Sequence, residues 1–173
     1  MIRLADEGDT TPIREIVQRS WIETYSASLG SDTVREHVAD EEFYSPEDLR
    51  SRMQNENGVV LVAEENTIVG YAFLSWDSEI EYLDADEADL RHIYLDPDHS
   101  GQGWGSRLLA AGIEQLPKRT RRLKVLFHPK NDGARAFYEA KGFRRVGLLD
   151  LDPSEVGMPS SNVDPPEMYV RDL

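Results

Sequence analysis

A mixed α/β (α+β) fold is the expectation for this chain, with one sheet of about seven strands flanked by helices in a single domain over residues 1–173. Three observations carry it. Short apolar runs of strand length alternate with segments whose apolar residues recur every three or four positions. At 173 residues, with no cysteine, the chain is long enough to close one core without metals or disulfides. Glycine, proline and Asn/Asp clusters fall between the periodic segments, and neither a repeat nor a linker divides the chain.

Ile2 to Leu4 reads as a short first strand. Thr11-Pro12 reads as an N-cap with proline at the first helical position, and Ile13, Ile16, Val17, Ser20, Trp21, Thr24 and Ser28 follow at helical spacing. A second helix covers Asp32 to Ala39. The third starts at Ser45-Pro46-Glu47-Asp48, where Ser45 caps and Asp48 answers it as a capping box, and it ends near Asn57-Gly58. Val59 to Ala63 and Ile68 to Trp76 are strands, joined into a hairpin by the polar turn Glu64 to Thr67. The acidic stretch Asp77 to Asp89 reads as a solvated connection. From Leu90 a buried strand leads through a loop with glycines at 101, 103 and 105 into a helix carrying Leu109, Ile113 and Leu116, which Pro117 stops. Leu123 to Phe127 is a strand. Asn131-Asp132 caps a helix carrying Ala134, Phe137, Tyr138 and Lys141, and Gly142 ends it before a further strand. Asp150 to Pro166, with prolines at 153, 159, 165 and 166, reads as a surface excursion before a last strand, Met168 to Val170.

The formal charge of −14 argues against nucleic-acid partners, because a polyanion would be repelled. Two readings of the acidity are compatible: a solvated surface suited to high salt, and a field that attracts cationic amines. The first residues carry no apolar signal core, and no apolar run reaches membrane-spanning length, so a cytoplasmic protein without a membrane partner is expected. Lys118, Arg119, Arg121 and Arg122 form the one dense basic cluster. It follows the C-terminus of the glycine-loop helix, roughly 20 Å from the loop, where dipole compensation and solvation account for it. His92, Asp96, Asp98 and His99 match no metal-ligand spacing, and no metal is expected.

The glycine loop is the most informative stretch. Glycines at 101, 103 and 105 let the backbone approach a ligand and take positive φ, and the helix that follows offers unpaired N–H groups. A pyrophosphate suits such a cradle. Gly105 is followed by Ser106 and Arg107, so the lysine of a nucleotide-hydrolase loop is missing. The Gly-x-Gly-x-x-Gly dinucleotide fingerprint fails as well, since its last position falls on Ser106.

Tyr94-Leu95-Asp96-Pro97 followed by Ser100-Gly101-Gln102-Gly103-Trp104-Gly105 resembles the acetyl-CoA motif of the GNAT superfamily of N-acetyltransferases, a loop of the form Arg/Gln-x-x-Gly-x-Gly/Ala. The segment Asn131 to Phe143 is similar to the family's other motif, Asn-x-x-Ala-x-x-Phe-Tyr-x-x-x-Gly-Phe, in the same order along the chain. Trp21, Tyr25 and the closing strand Met168-Tyr169-Val170 also look like the family. The resemblance implies a mostly antiparallel GNAT-like sheet and acetyl-CoA as cosubstrate. It implies cofactor contacts at Ile93, Tyr94, Leu95, Ser100, Gly101, Gln102, Gly103, Trp104, Gly105, Ser106, Asn131, Phe137 and Tyr138. The activity it implies is transfer of acetyl to an amine acceptor, a small molecule or a protein amine, by a monomer or homodimer.

Acetyl transfer to an amine needs a proton for the departing thiolate and a neutral nucleophile. Tyr138 takes the acid role by resemblance, whereas on burial pattern alone it would be a core tyrosine. Asn131 reads equally as a pantetheine contact and as a helix cap. For the base, Glu87, Asp89 and His92 are the candidates, with Asp89 and His92 preferred, although Asp89 is as readily a solvated charge and a lone strand histidine a packed or surface residue. The sequence departs from the family pattern at Ser100, where the loop has Arg or Gln, and at Arg91, where some members carry a glutamate. Those departures keep an alternative open: a non-catalytic acyl-CoA-binding or sensing module.

Overall fold

The computed structural model describes residues 1–151 and 164–173. In chain order these form β1 (Ile2–Leu4), α1 (Thr10–Leu29), α2 (Ser31–Ala39), α3 (Pro46–Met53), β2 (Gly58–Glu65), β3 (Thr67–Ser75) and β4 (Glu87–Leu95). They continue with α4 (Trp104–Gln115), β5 (Arg122–Phe127), α5 (Asp132–Ala140), β6 (Arg144–Leu148) and β7 (Glu167–Asp172). The seven strands make one sheet in the order β1-β2-β3-β4-β5-β7-β6. Every neighbouring pair is antiparallel except β4 with β5, which α4 connects as a parallel crossover requires. The mixed, mostly antiparallel seven-strand sheet is therefore as expected. Residues 152–163, most of the expected excursion, lie outside the described residues.

Both faces of the sheet are covered. On one, α4 and α5 bring Leu108, Leu109 and Tyr138 against Leu74, Leu90, Leu123 and Tyr169. On the other, α1 to α3 bring Ile13, Val17, Val34 and Leu49 against Val60, Val62 and Tyr71. Burial on both faces is why Val59 to Ala63 reads as a continuous apolar run rather than an alternating one. The hairpin between β2 and β3 turns at Asn66, whose φ of 64° lies in the left-handed region that Asn tolerates. No helix among the described residues is long and apolar enough to cross a membrane.

Three local expectations are corrected. Helix α1 starts before Thr11, on a 3-10 turn at Glu7–Asp9: Asp6 accepts from the Gly8 N–H, and Asp9 accepts from the Asp6 N–H and from both terminal nitrogens of Arg3. Thr11-Pro12 falls within the first helical turn, where proline's missing N–H costs no intrahelical bond. Ser45 does cap α3, but Asp48 does not answer it, because its carboxylate pairs with Arg52 at 2.6 Å. The acidic connection also ends earlier than expected. Glu87, Ala88 and Asp89 are strand residues and buried; the Glu87 carboxylate pairs with Lys124, and one Asp89 oxygen accepts from the Tyr82 hydroxyl.

Candidate active site

The site is a fork in the sheet. Strands β4 and β5 pair only where Glu87, Ala88 and Asp89 face Arg122, Leu123 and Lys124. Beyond those residues β4 runs on with β3 and β5 with β7, so the facing edges of the parallel strands separate. Glu87 pins the base of the fork, 2.5 Å from Lys124 Nζ and 3.4 Å from Arg122, and Lys124 also donates to the Tyr82 carbonyl at 2.7 Å. Arg122 of the basic cluster is thus a structural partner, as is Arg119, which donates to the Ala85 carbonyl. A cavity of about 440 Å³ opens in the fork, walled by Ile93, Tyr94 and Leu95 of β4, Trp21 and Tyr25 of α1, and Asn131, Phe137 and Tyr138 of α5.

At one end of the cavity stand Ser100, Gly101 and Gly105. Gly101 and Gly103 have φ of 75° and 83°, and a Cβ on either would meet nothing within 4 Å, so the loop presents bare backbone to open space. Gly103 is the N-cap of α4, whose first N–H groups have no partner within the helix. The other loop residues divide. Trp104 is buried in the core, Gln102 is exposed with its amide on the Asp98 carbonyl, and Ser106 is half-buried; none of their side chains nor Gly103 lines the cavity. Sequence reading missed two cations here. Arg107 stacks on Trp104, 3.6 Å from its ring centre, and donates to the Gln102 carbonyl. Arg19 of α1 binds Asp96 at 2.6 Å and Asp98 at 2.8 Å, fastening the helix to the loop. The Arg-to-Trp spacing of one helical turn was the available signal for the first; the second joins residues 77 apart.

Tyr138 lies inside the fork between the rings of Phe127, Phe137 and Phe143. Its hydroxyl has no partner among the described residues and is not sealed from the cavity. Burial pushes its pKa up, so the phenol is neutral across the physiological range. Asn131 is a helix cap, its side-chain oxygen accepting from the Ala134 N–H at 3.0 Å, while its amide nitrogen donates to the Tyr25 hydroxyl at 3.1 Å. One residue therefore ties α5 to α1 across the mouth of the fork.

Asp89 is not the solvated acid of one sequence reading, whereas His92 is packed among the rings of Tyr44, Tyr71, Phe73 and Tyr94. Asp89 is buried and does not line the cavity; Tyr82 donates to one oxygen at 2.5 Å with Arg91 at 3.5 Å, and the other oxygen has no partner among the described residues. Burial pushes its pKa up against the pull of Arg91 and Tyr82. His92 is half-buried and lines the cavity, with Nδ1 2.9 Å from an Arg52 guanidinium nitrogen. A guanidinium only donates, so Nδ1 accepts and the ring proton sits on Nε2. Burial, reinforced by the charges of Arg52 and Arg91, holds the His92 pKa well below the usual imidazole value. Between them the β3–β4 register slips: Phe73 faces His92 and Leu74 faces Leu90, leaving Arg91 as a bulge.

The profile of the Acetyltransferase (GNAT) family matches residues 13–143. The chain belongs to this family. It is 33% identical over 99 residues to an uncharacterized N-acetyltransferase of Methanocaldococcus jannaschii, a match that takes in 56% of this chain and 43% of the relative. The paia N-acetyltransferase from Thermoplasma acidophilum in complex with coenzyme A superposes with a TM-score of 0.78 at 21% identity, over 100% of this chain and 98% of that one. The ribosomal-protein-alanine N-acetyltransferase from Brucella melitensis gives 0.73 at 24%, covering 100% and 99%. The yncA protein of Salmonella typhimurium, solved with its cofactor acetyl-CoA, gives 0.66 at 21%, covering 100% and 93%. This GNAT chain thus shares the fold of those proteins, and its match spans less than half the length of the curated relative. The fork and the glycine loop lie within or beside the strands and helices that the family profile spans.

Proposed function

We propose that this GNAT chain transfers the acetyl group of acetyl-CoA to a primary amine by direct attack of the amine on the thioester. The Tyr138 hydroxyl carries the reading: a neutral O–H donor, buried in the fork, open to the cavity and unused by the described residues. Acetyl-CoA supplies an acyl carbon with a thiol leaving group. The bare N–H groups around Gly101, Gly103 and Gly105, with Ser100, Ser106 and the backbone of Gln102 and Trp104, suit its phosphates. The unpaired β4 edge at Ile93, Tyr94 and Leu95 suits an extended chain with amide groups, which would continue the sheet where β5 has departed. Phe137 and Asn131 close that channel from the α5 side.

The nitrogen lone pair forms the C–N bond, the C–S pair goes to sulfur, and the Tyr138 O–H donates to that sulfur as charge develops. A free thiol has a pKa near 8.5, below a phenol, but the burial that raises the Tyr138 pKa penalises a thiolate in the same cavity, which narrows the gap. The amine's extra proton leaves to solvent, from which the Tyr138 oxygen is reprotonated, so no net proton is gained or lost. We assign the base role to none of the three candidates: Glu87 pairs with Lys124 and Arg122 at the base of the fork. Asp89 stands behind Tyr82 and Arg91, and His92 already carries its proton on the nitrogen it turns from Arg52. The acceptor therefore enters as the neutral amine. Calorimetric titration with CoA, followed by thiol release from acetyl-CoA against an amine panel, tests the reading. Micromolar binding with amine-dependent thiol release is expected; absence of CoA binding overturns it.

A further inference from the structure

We infer that Arg91 and His92 form a carboxylate subsite, and that the acceptor is an α-amino acid. The inference rests on the acetyl-transfer reading above and deepens it. Both residues line the cavity at the β4 bulge. Arg91 has one terminal nitrogen engaged, on the Tyr82 hydroxyl at 3.1 Å and Asp89 at 3.5 Å; Nε and the second terminal nitrogen have no partner among the described residues. That leaves one edge of the guanidinium fork open, the geometry that takes a carboxylate through two N–H groups. His92 adds the Nε2–H, fixed as a donor by Arg52 on the opposite nitrogen. His128 lines the same space and is likewise a donor at Nε2, because its Nδ1 accepts the Lys130 N–H at 3.1 Å.

Charge sharpens the contrast. The chain has 33 Asp and Glu, yet none of the described residues lining this cavity is acidic. A polyamine entering it would meet a guanidinium and two imidazole N–H donors with no carboxylate to pair its second cation. The phosphates of acetyl-CoA do not account for Arg91 either. It precedes Leu95 by four strand residues, about 13 Å, and the glycine loop lies further on. A carboxylate held at Arg91 and His92 leaves an α-amine one carbon away, beside the bulge, and the nearby positive charge favours the neutral amine needed for attack. The rings of Trp21, Tyr25 and His128 supply an apolar wall for the amino acid side chain.

The test compares the standard amino acids with their decarboxylated amines and with spermidine, by kcat/KM for thiol release from acetyl-CoA. Wild type is expected to favour an amino acid over its own decarboxylated amine, phenylalanine over phenethylamine for example, by about 10- to 100-fold, the range of a charge-assisted hydrogen-bonded pair. Arg91→Gln is expected to collapse that ratio at least about tenfold through KM of the amino acid, and Arg91→Lys to restore part of it. Preference for phenethylamine or spermidine in wild type overturns the inference, as does an unchanged ratio in folded Arg91→Gln. Should Arg91→Gln not fold, the wild-type ratio decides alone. CoA binding with acetylation of no amino acid also overturns it while the acetyl-CoA reading stands; loss of both takes down that reading.

Discussion

Replacing Tyr138 by phenylalanine removes one oxygen from the fork and leaves its packing in place. The ring stays among Phe127, Phe137 and Phe143, with centroids 5.3 to 5.4 Å away. No hydrogen bond to a described residue is lost, since the hydroxyl makes none. Folding stability should therefore change by no more than about 0.5 kcal/mol, a melting shift of at most about 2 °C in a domain of this size. Catalysis should fall much further. Proton donation by a positioned side chain contributes about 10²- to 10⁴-fold. The lower end is expected, because a phenol whose pKa is raised by burial parts with its proton reluctantly. We expect kcat about 100-fold below wild type, or about 2.7 kcal/mol of transition-state stabilisation, with KM for acetyl-CoA moved less than about threefold. Thiol release with a chromogenic disulfide reads the rate, and scanning calorimetry reads the fold. A variant that melts like wild type and turns over within about threefold of it would refute the assignment of Tyr138.

Further outcomes follow from the same geometry. Gly103→Ala should raise KM for acetyl-CoA about tenfold or more with a stability loss of about 1–2 kcal/mol, because a Cβ would strain the left-handed N-cap and enter the open face of the loop; unchanged KM in steady-state kinetics would count against the cradle. Glu87→Gln should cost about 3 kcal/mol at neutral pH by denaturant titration, since it strands Lys124 at the base of the fork. Although burial opposes it, hydrogen bonds from Lys124 and the Asp84 N–H and the nearby charges hold the Glu87 pKa below the usual carboxylate value. Its stabilisation is present above about pH 4.3 and is lost as pH falls through the lower folded value, so wild type and variant should converge in that acidic window. Finally, kcat/KM for the amine should climb about tenfold per pH unit while the acceptor ammonium titrates; a plateau set by a group near pH 6.5 would restore a histidine base, against the reading that His92 Nδ1 is taken up by Arg52.

What could be read from the sequence was local. Asn131 and Gly142 announce the start and end of α5 because capping and positive φ depend on neighbouring residues, and the hairpin at Asn66 follows for the same reason. Gly101 and Gly103 announce bare backbone wherever the loop lies. What could not be read depends on how side chains pair once the chain has folded. Asp89 reads as one more acid in an acidic run until Tyr82 and Arg91 enclose it. The tautomer of His92 is set by Arg52, 40 residues earlier, and the Arg91 bulge by how β3 and β4 align. Glu87 is buried only because Lys124 and Arg122 arrive beside it once α4 has crossed over. Pairing made these acids unlike the rest of the surface, and no periodicity records pairing.

The central claim is that the β4–β5 fork holds acetyl-CoA with its thioester at Tyr138, and a crystal structure of the CoA complex tests it most directly. The pyrophosphate is expected on the N–H groups from Gly101 to Ser106, the pantetheine arm along Ile93 and Leu95, and the sulfur within about 3.5 Å of the Tyr138 hydroxyl. CoA bound outside the fork, or with its sulfur remote from Tyr138, would contradict it.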